Sequence, residues 1–483
     1  IIYNWIIKGG KMNYKKIVAY SYITILVIIY YMALPASIFK GLPMGDTPIF
    51  EYFGYAMTKG ELMYSNLFDH KGPFIFISHY IGWLIYEEIG IKLLFAVCIF
   101  VFLYFSYRIT KIFSQGYEYT VVLFVIFISY MYVSEKGLNV ETLALPFITA
   151  SLYFYLEYFI KNQINSIRIM LLGAMFCVTF FIRANMIGVW LFMSILFIVH
   201  NILKKKTGDI IKYILLFLVG VMIVFIPLIS YMLFKGNLID MFYQAFYINF
   251  KYAGGEGVGR RTILLWAISI FKEVSLLFII IAANLCKRTD KKLIIYNIFV
   301  VLLILLALIS KREYPHYLIV TIPLFIPYIA IIMECIFKWE INKHKICVLF
   351  LGIYMLFSSN ISNIYDDISM RKNVDVDLES VANYINENTD KGDKIYAHRL
   401  TGAVYLSSQR LSSTKYFFIP SIPEELFIND FKDSFKNSKP KYIVLNKNYL
   451  GDKGVDKYIV ELSGSSYSLE KTIKEYDIYV IKN

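Results

Sequence analysis

The chain has 483 residues, 58% of them hydrophobic and 18% aromatic, with mean hydropathy +0.56 and a net charge of +13. That much apolar surface exceeds what a water-soluble core of this length needs, so the expected solvent is a bilayer. The basic excess lies in short clusters between apolar runs rather than on one face, which fits topology signals and contact with membrane lipids and excludes nucleic acid as a partner.

Residues 1–11 contain no Met, and Lys8-Gly9-Gly10-Lys11-Met12 is what a ribosome-binding site followed by a start codon would encode. Translation is therefore expected to begin at Met12, with 1–11 a spurious leader. No small-residue cleavage site follows the first apolar run, so that span is expected to be retained. Apolar runs occupy 17–38, 73–88, 90–107, 119–134, 140–160, 167–183, 186–203, 210–234, 262–286, 291–310, 317–338 and 345–361. Lys11, Lys15 and Lys16 place the N-terminus in the cytoplasm. The later basic loops, from Arg108/Lys111 through Lys204-Lys205-Lys206 to Lys338/Lys343/Lys345, all fall on the same side only if 73–107 crosses once, with 73–88 interfacial or re-entrant. Loops 39–72, 135–139, 183–185, 235–261 and 311–316 are then left on the outer face.

Near Ile364 the composition changes. Asp366, Asp367, Arg371, Lys372, Asp375, Asp377 and Glu379 make the remainder water-compatible. Val381 to Glu387 read as an amphipathic helix, and Asp393–Tyr396, Lys441–Leu445 and Tyr476–Ile481 as strands. The domains expected are a membrane domain over 12–363 and a small outer α/β domain over 364–483. Cys98, Cys177, Cys286, Cys335 and Cys347 are scattered without a CxxC or metal-ligand spacing, which points to core packing.

The outer loops carry the candidate chemistry. Asp46 precedes Thr47-Pro48 and a helix-like stretch, so it suits an N-cap; it also suits a general base for a hydroxyl, and the two roles are compatible. Asp69-His70-Lys71-Gly72-Pro73 reads either as a solvated turn ahead of a helix or as a phosphate site, with Lys71 and His70 on the anion and Asp69 orienting one of them. Lys311-Arg312-Glu313-Tyr314-Pro315-His316-Tyr317 is an interfacial anchor or a lipid-phosphate site; cations at an outer span end run against the positive-inside trend. Arg183-Ala184-Asn185 is a similar exception, and Glu135, Lys136 and Glu141 flank another outer span end. The Gly-rich stretch from Lys251 to Arg261 follows no strand and reads as a flap rather than a nucleotide loop. Lys272-Glu273 fall mid-run, either as an interior pair or in a stretch lying along the interface.

Taken in order, Gly45-Asp46, Tyr52, Ala56, Gly60, Tyr64 and Asp69-His70-Lys71-Gly72-Pro73 resemble the first outer loop of the GT-C glycosyltransferases. The likeness is to the bacterial ArnT-like and protein O-mannosyltransferase-like members (glycosyltransferase family 39 and its RgtA/B/C/D-like cousins). Asn139-Val140-Glu141-Thr142, Phe181-Ile182-Arg183-Ala184-Asn185 and Arg312 to Tyr317 followed by Pro323 match further landmarks, and Asn383 to Tyr396 resembles the outer domain of bacterial members. The fold implied is a polytopic α-helical membrane protein of the GT-C type, with about 11–13 transmembrane helices and a small C-terminal α/β extracytoplasmic domain. The activity implied is transfer of a sugar from a polyprenyl-phosphate carrier to a glycan, lipid or protein acceptor at the outer side of a bacterial cytoplasmic membrane, with inversion. The resemblance makes Asp46 the base and Asp69 a second acid or positioner. It gives the leaving phosphate to Lys71, Arg312 and His316, with Arg183 as a further candidate; His70, Glu141 and Tyr317 complete the substrate-binding set. It fixes no cofactor, and a divalent metal is left open. A transporter or flippase is the alternative from another class, and a surface-polysaccharide polymerase or ligase the alternative within this one.

Overall fold

The computed structural model describes residues 14–33, 46–132, 138–162, 164–254, 275–286, 291–307, 315–338 and 376–482. Among the described residues, five helices are long and apolar enough to cross a membrane: Tyr14–Met32, Pro73–Phe113, Val140–Lys161, Thr207–Lys235 and Tyr317–Phe337. Shorter apolar helices cover Glu118–Ser129, Ser166–Ile182, Gly188–Leu203 and Lys292–Leu306. The chain is an integral membrane protein. Val140–Lys161 runs through the middle of the bundle and is mostly buried, whereas Thr207–Lys235 lies on its outside and is mostly exposed. Asn139 starts the central helix by accepting the Thr142 N–H at 3.2 Å, and Asn162 ends it in the left-handed region at φ 53°.

The stretch Pro73–Phe113 is two limbs. The backbone leaves helical geometry at Tyr86 and Glu87, and Gly82 lies against Ile91 so closely that a Cβ on Gly82 would sit 2.5 Å from the Ile91 Cα. The first limb is about 20 Å long, shorter than a ~30 Å hydrocarbon core.

Helix Thr47–Thr58 lies along this hairpin and is buried over nearly its whole length. Glu51 is fully buried, and neither carboxyl oxygen finds a hydrogen-bond partner among the described residues. Burial, and then the charge of Glu88, push its carboxyl up to about 8 against the opposing pull of Lys92. Between pH 4.5, the ordinary Glu value, and about 8 the folded chain holds a proton here that the unfolded chain has lost, so stability falls as pH rises through that window. Glu51→Gln is expected to flatten this part of the pH dependence of thermal unfolding; a slope equal to that of the wild type contradicts it.

The C-terminal domain is a five-stranded mixed sheet in the order β2-β1-β3-β5-β4, made of β1 (Lys394–His398), β2 (Leu411–Ser412), β3 (Tyr442–Asn446), β4 (Tyr467–Ile473) and β5 (Tyr476–Ile481). β1 is parallel to both its neighbours, while β5 is antiparallel to β3 and to β4. β3, Tyr-Ile-Val-Leu-Asn, is buried at every position, as a covered central strand requires. Helices Val376–Asn388, Ile428–Asn437 and Gly454–Ser466 accompany the sheet.

Candidate active site

Asp46 occupies the N-cap position of helix Thr47–Thr58, with Pro48 in the first turn, and its carbonyl accepts the Ile49 N–H at 3.0 Å. Its side chain makes no capping bond. Oδ2 lies instead 3.4 Å from Lys71 Nζ. The N-cap reading holds for the backbone, and the carboxylate faces Lys71.

The loop that delivers Lys71 is built in, not solvated. Gly60 at φ 94° turns the chain out of the helix, and Tyr64 at φ 69° turns it again. The buried Tyr64 donates its hydroxyl to the Lys71 carbonyl at 2.8 Å. Asp69, fully buried, accepts the Lys71 N–H at 3.1 Å through Oδ1, which also lies 3.6 Å from Lys71 Nζ and 3.5 Å from His70 Nδ1. Gly72 donates its N–H to the Ile182 carbonyl at 3.2 Å, and a Cβ there would meet the Phe181 carbonyl oxygen at 2.1 Å. Only glycine allows this approach, which sets the loop against the end of helix Ser166–Ile182.

The next residue after that helix is Arg183. Its Nη1 donates to Glu141 Oε1 at 2.9 Å, its Nη2 donates to the Tyr317 hydroxyl at 2.6 Å, and the guanidinium lies 4.2 Å above the Tyr317 ring. Glu141 opens the central helix, and Tyr317 lies at the start of the last described membrane segment. Tyr317 is therefore a buried ligand of Arg183, not an anchor at the headgroup level. Four separated segments meet here, and the Arg183 charge acts on both His70 and Lys71.

The electrostatics divide the labour. Burial alone would lower the Lys71 ammonium, but Asp46 and Asp69 outweigh it and hold the pKa above the ordinary lysine value. Burial, Lys71 and Arg183 hold His70 well below its usual range, so it is a neutral hydrogen-bonding group and not a second cation. Burial, with Asp46 adding, raises Asp69 against the pull of Lys71. The Asp46 side chain is 45% exposed and that of Asp69 0%, so of the two carboxylates Asp46 is the one open to solvent.

Residues that the sequence reading passed over hold this loop from behind. Gln244 Nε2 donates to the Tyr64 carbonyl at 2.6 Å, and its Oε1 accepts the Asp69 N–H at 3.3 Å. Asn237 Nδ2 donates to the Met63 carbonyl at 2.9 Å, Asp240 accepts the Ser65 hydroxyl at 3.0 Å, and Asn249 donates to the His70 carbonyl. Ile239 and Phe250 of the same segment point outward, about four-fifths exposed. Asp240, Gln244 and Asn249 are spaced by four and then five residues. The π-helical turns over Tyr243–Ile248 keep that sequence on one face. Amphipathic spacing was the available signal, hidden by the extra residue.

Arg312 lies outside the described residues, as do Glu135, Lys136, Lys272, Glu273 and the loop 255–261. His316 falls in the 3₁₀ stretch Pro315–Phe325, and its side chain lies outside the description. Among the described residues no three His, Cys, Asp or Glu side chains converge to hold a metal ion.

The family described as "Putative competence-induced protein Ccs4 N-terminal domain" matches residues 7–346, and the Ccs4 C-terminal domain matches residues 376–482. No curated protein matched the sequence. Among solved structures, ArnT from Cupriavidus metallidurans bound to undecaprenyl phosphate is similar at a TM-score of 0.62 and 10% identity, over 95% of this chain and 97% of that one. The same protein in the apo state is similar at 0.60 and 10% identity, over 95% and 96%. The fold is ArnT-like.

Proposed function

This chain belongs to the competence-induced Ccs4 family, and from its ArnT-like fold and the Asp46–Lys71 pair we propose that it is a membrane glycosyltransferase with a polyprenyl-phosphate-linked sugar donor. The acceptor is a surface glycan, a glycolipid or a protein, and the reaction runs at the outer face of the cytoplasmic membrane. Asp46 takes the proton of the acceptor hydroxyl as its oxygen attacks the anomeric carbon. The bond from that carbon to the phosphate oxygen breaks, the electron pair leaves with the polyprenyl phosphate, and the configuration inverts. Lys71 and Arg183 meet the charge that grows on the leaving phosphate. Asp69 positions Lys71, Glu141 and Tyr317 position Arg183, and His70 lends a neutral donor. Arg312 and His316 are proposed to complete the phosphate site.

The observation that carries this reading is the 3.4 Å contact between the exposed Asp46 carboxylate and the largely enclosed Lys71 ammonium, on which the Arg183 charge also acts. That the similar ArnT is described bound to undecaprenyl phosphate supports the leaving group. The ionisable cluster lies at span ends rather than at a midplane break, which favours an enzyme over a transporter. The test is native mass spectrometry with polyprenyl phosphate: specific one-to-one binding is expected, weakened at least about tenfold in Arg183→Gln. Binding unaffected by that change contradicts the phosphate assignment.

A further inference from the structure

The C-terminal domain grips the outer loop next to both halves of the candidate site. After β1 the chain passes through Arg399 and Thr401, both left-handed at φ 58° and 52°, and reaches Gly402. A Cβ on Gly402 would lie 1.9 Å from the Pro48 carbonyl oxygen and 2.8 Å from Tyr52 Cβ. The contact is backbone on backbone, two residues from Asp46. One helical turn on, the buried Tyr52 hydroxyl accepts the Ser412 N–H at 2.7 Å, and its ring packs 4.4 Å from Phe417 and 4.9 Å from Tyr405. At the far end of the loop, Phe68 donates its N–H to the Lys415 carbonyl at 2.9 Å and its ring lies 4.8 Å from Tyr416. The residue after Phe68 is Asp69. Lys394 and Glu61, 3.0 Å apart, add a contact between these two ends.

The two segments so held bring Asp46 and Lys71 to 3.4 Å. Two of the fastenings, at Gly402 and at Lys415, are main chain on main chain and leave little slack. We propose that the C-terminal domain is a working part of the site: it sets the spacing between the Asp46 helix and the Asp69–Lys71 loop, with Gly402 and Tyr52 as positioning residues. This rests on the glycosyltransferase reading for its consequence in turnover but not for its structural content. A misplacement on the order of 1 Å costs about a hundredfold in a positioned reaction.

The test uses the full-length protein in detergent or nanodiscs, as wild type, Gly402→Ala, the milder Tyr52→Phe, and Gly392→Ala. Gly392 is in the same domain, with open space where a Cβ would go. Hydrogen exchange over peptides covering 47–58 and 61–72 is expected to rise about tenfold in Gly402→Ala and Tyr52→Phe and to stay unchanged in Gly392→Ala. With a lipid-linked sugar donor, kcat is expected to fall roughly 10- to 100-fold in the first two, with the donor KM within about twofold. Faster exchange confined to 399–417, with both site peptides as in the wild type, overturns the proposal. So does wild-type kcat in both variants. A wild type that consumes no lipid-linked donor counts against the glycosyltransferase reading alone, because the exchange comparison still decides the positioning role. Tyr52→Phe keeps the ring and so keeps the test open if Gly402→Ala fails to fold.

Discussion

Lys71→Met is expected to lower turnover of a lipid-linked sugar by about a thousandfold and to weaken polyprenyl-phosphate binding at least about tenfold. Lys71 Nζ is the one cation within 4 Å of both Asp46 and Asp69 among the described residues. Taking one partner from a buried ion pair commonly costs about 3–5 kcal/mol. Here Asp69 relieves part of that cost by taking up a proton, since burial already raises its carboxyl. Asp46 is open to water and is screened, so it adds little to the loss of stability. The variant should therefore fold with a lowered melting temperature while losing the group that meets the leaving phosphate. Lys71→Arg keeps the charge, but it must fit a larger planar fork into a loop pinned at Tyr64, Asp69 and Gly72, and is expected to regain only part of the binding. Wild-type affinity for polyprenyl phosphate in Lys71→Met would remove lysine from the phosphate site.

Asp46→Asn is expected to behave differently. The amide keeps the size of the carboxylate, and the backbone carbonyl that starts helix Thr47–Thr58 is untouched, so the protein should fold as the wild type does. A general base contributes about 10²- to 10⁴-fold, and turnover should fall by that range. Binding of polyprenyl phosphate should hold or tighten, because Lys71 loses a competing anion at 3.4 Å. The pair of results, binding lost with Lys71 and kept with Asp46, separates a phosphate anchor from a base. A merely structural ion pair would give the same phenotype from either side.

Much of this was legible in the sequence because a membrane simplifies the code. The runs read at 140–160, 167–183, 186–203 and 210–234 correspond to helices Val140–Lys161, Ser166–Ile182, Gly188–Leu203 and Thr207–Lys235. Polar residues at span ends stand out against hydrocarbon, as Asp46, Asp69, Lys71, Glu141, Arg183 and Tyr317 do. Their grouping was less visible. That Arg183 meets Glu141 and Tyr317 depends on three helix ends converging, and no local pattern carries that. Burial was also hidden: a loop reading Asp-His-Lys-Gly-Pro looks solvated until Tyr64, Gln244 and Asn249 are seen to enclose it. In the C-terminal domain the apolar runs of β1, β3 and β5 were readable. β4, Tyr-Ser-Leu-Glu-Lys-Thr-Ile, is an exposed edge strand with a bulge between Leu469 and Lys471, and its charged composition masked it.

The central claim is that Asp46 activates an acceptor against a sugar carried on a polyprenyl phosphate. Its most direct test is proteoliposomes holding wild type or Asp46→Asn, supplied with a radiolabelled lipid-linked sugar and a cell-envelope acceptor extract, with free polyprenyl phosphate measured over time. The account predicts one polyprenyl phosphate released per sugar transferred by the wild type, and release slowed at least about a hundredfold by Asp46→Asn. Release at the wild-type rate by Asp46→Asn, or recovery of the lipid-linked sugar intact on the opposite leaflet with the wild type, would contradict it.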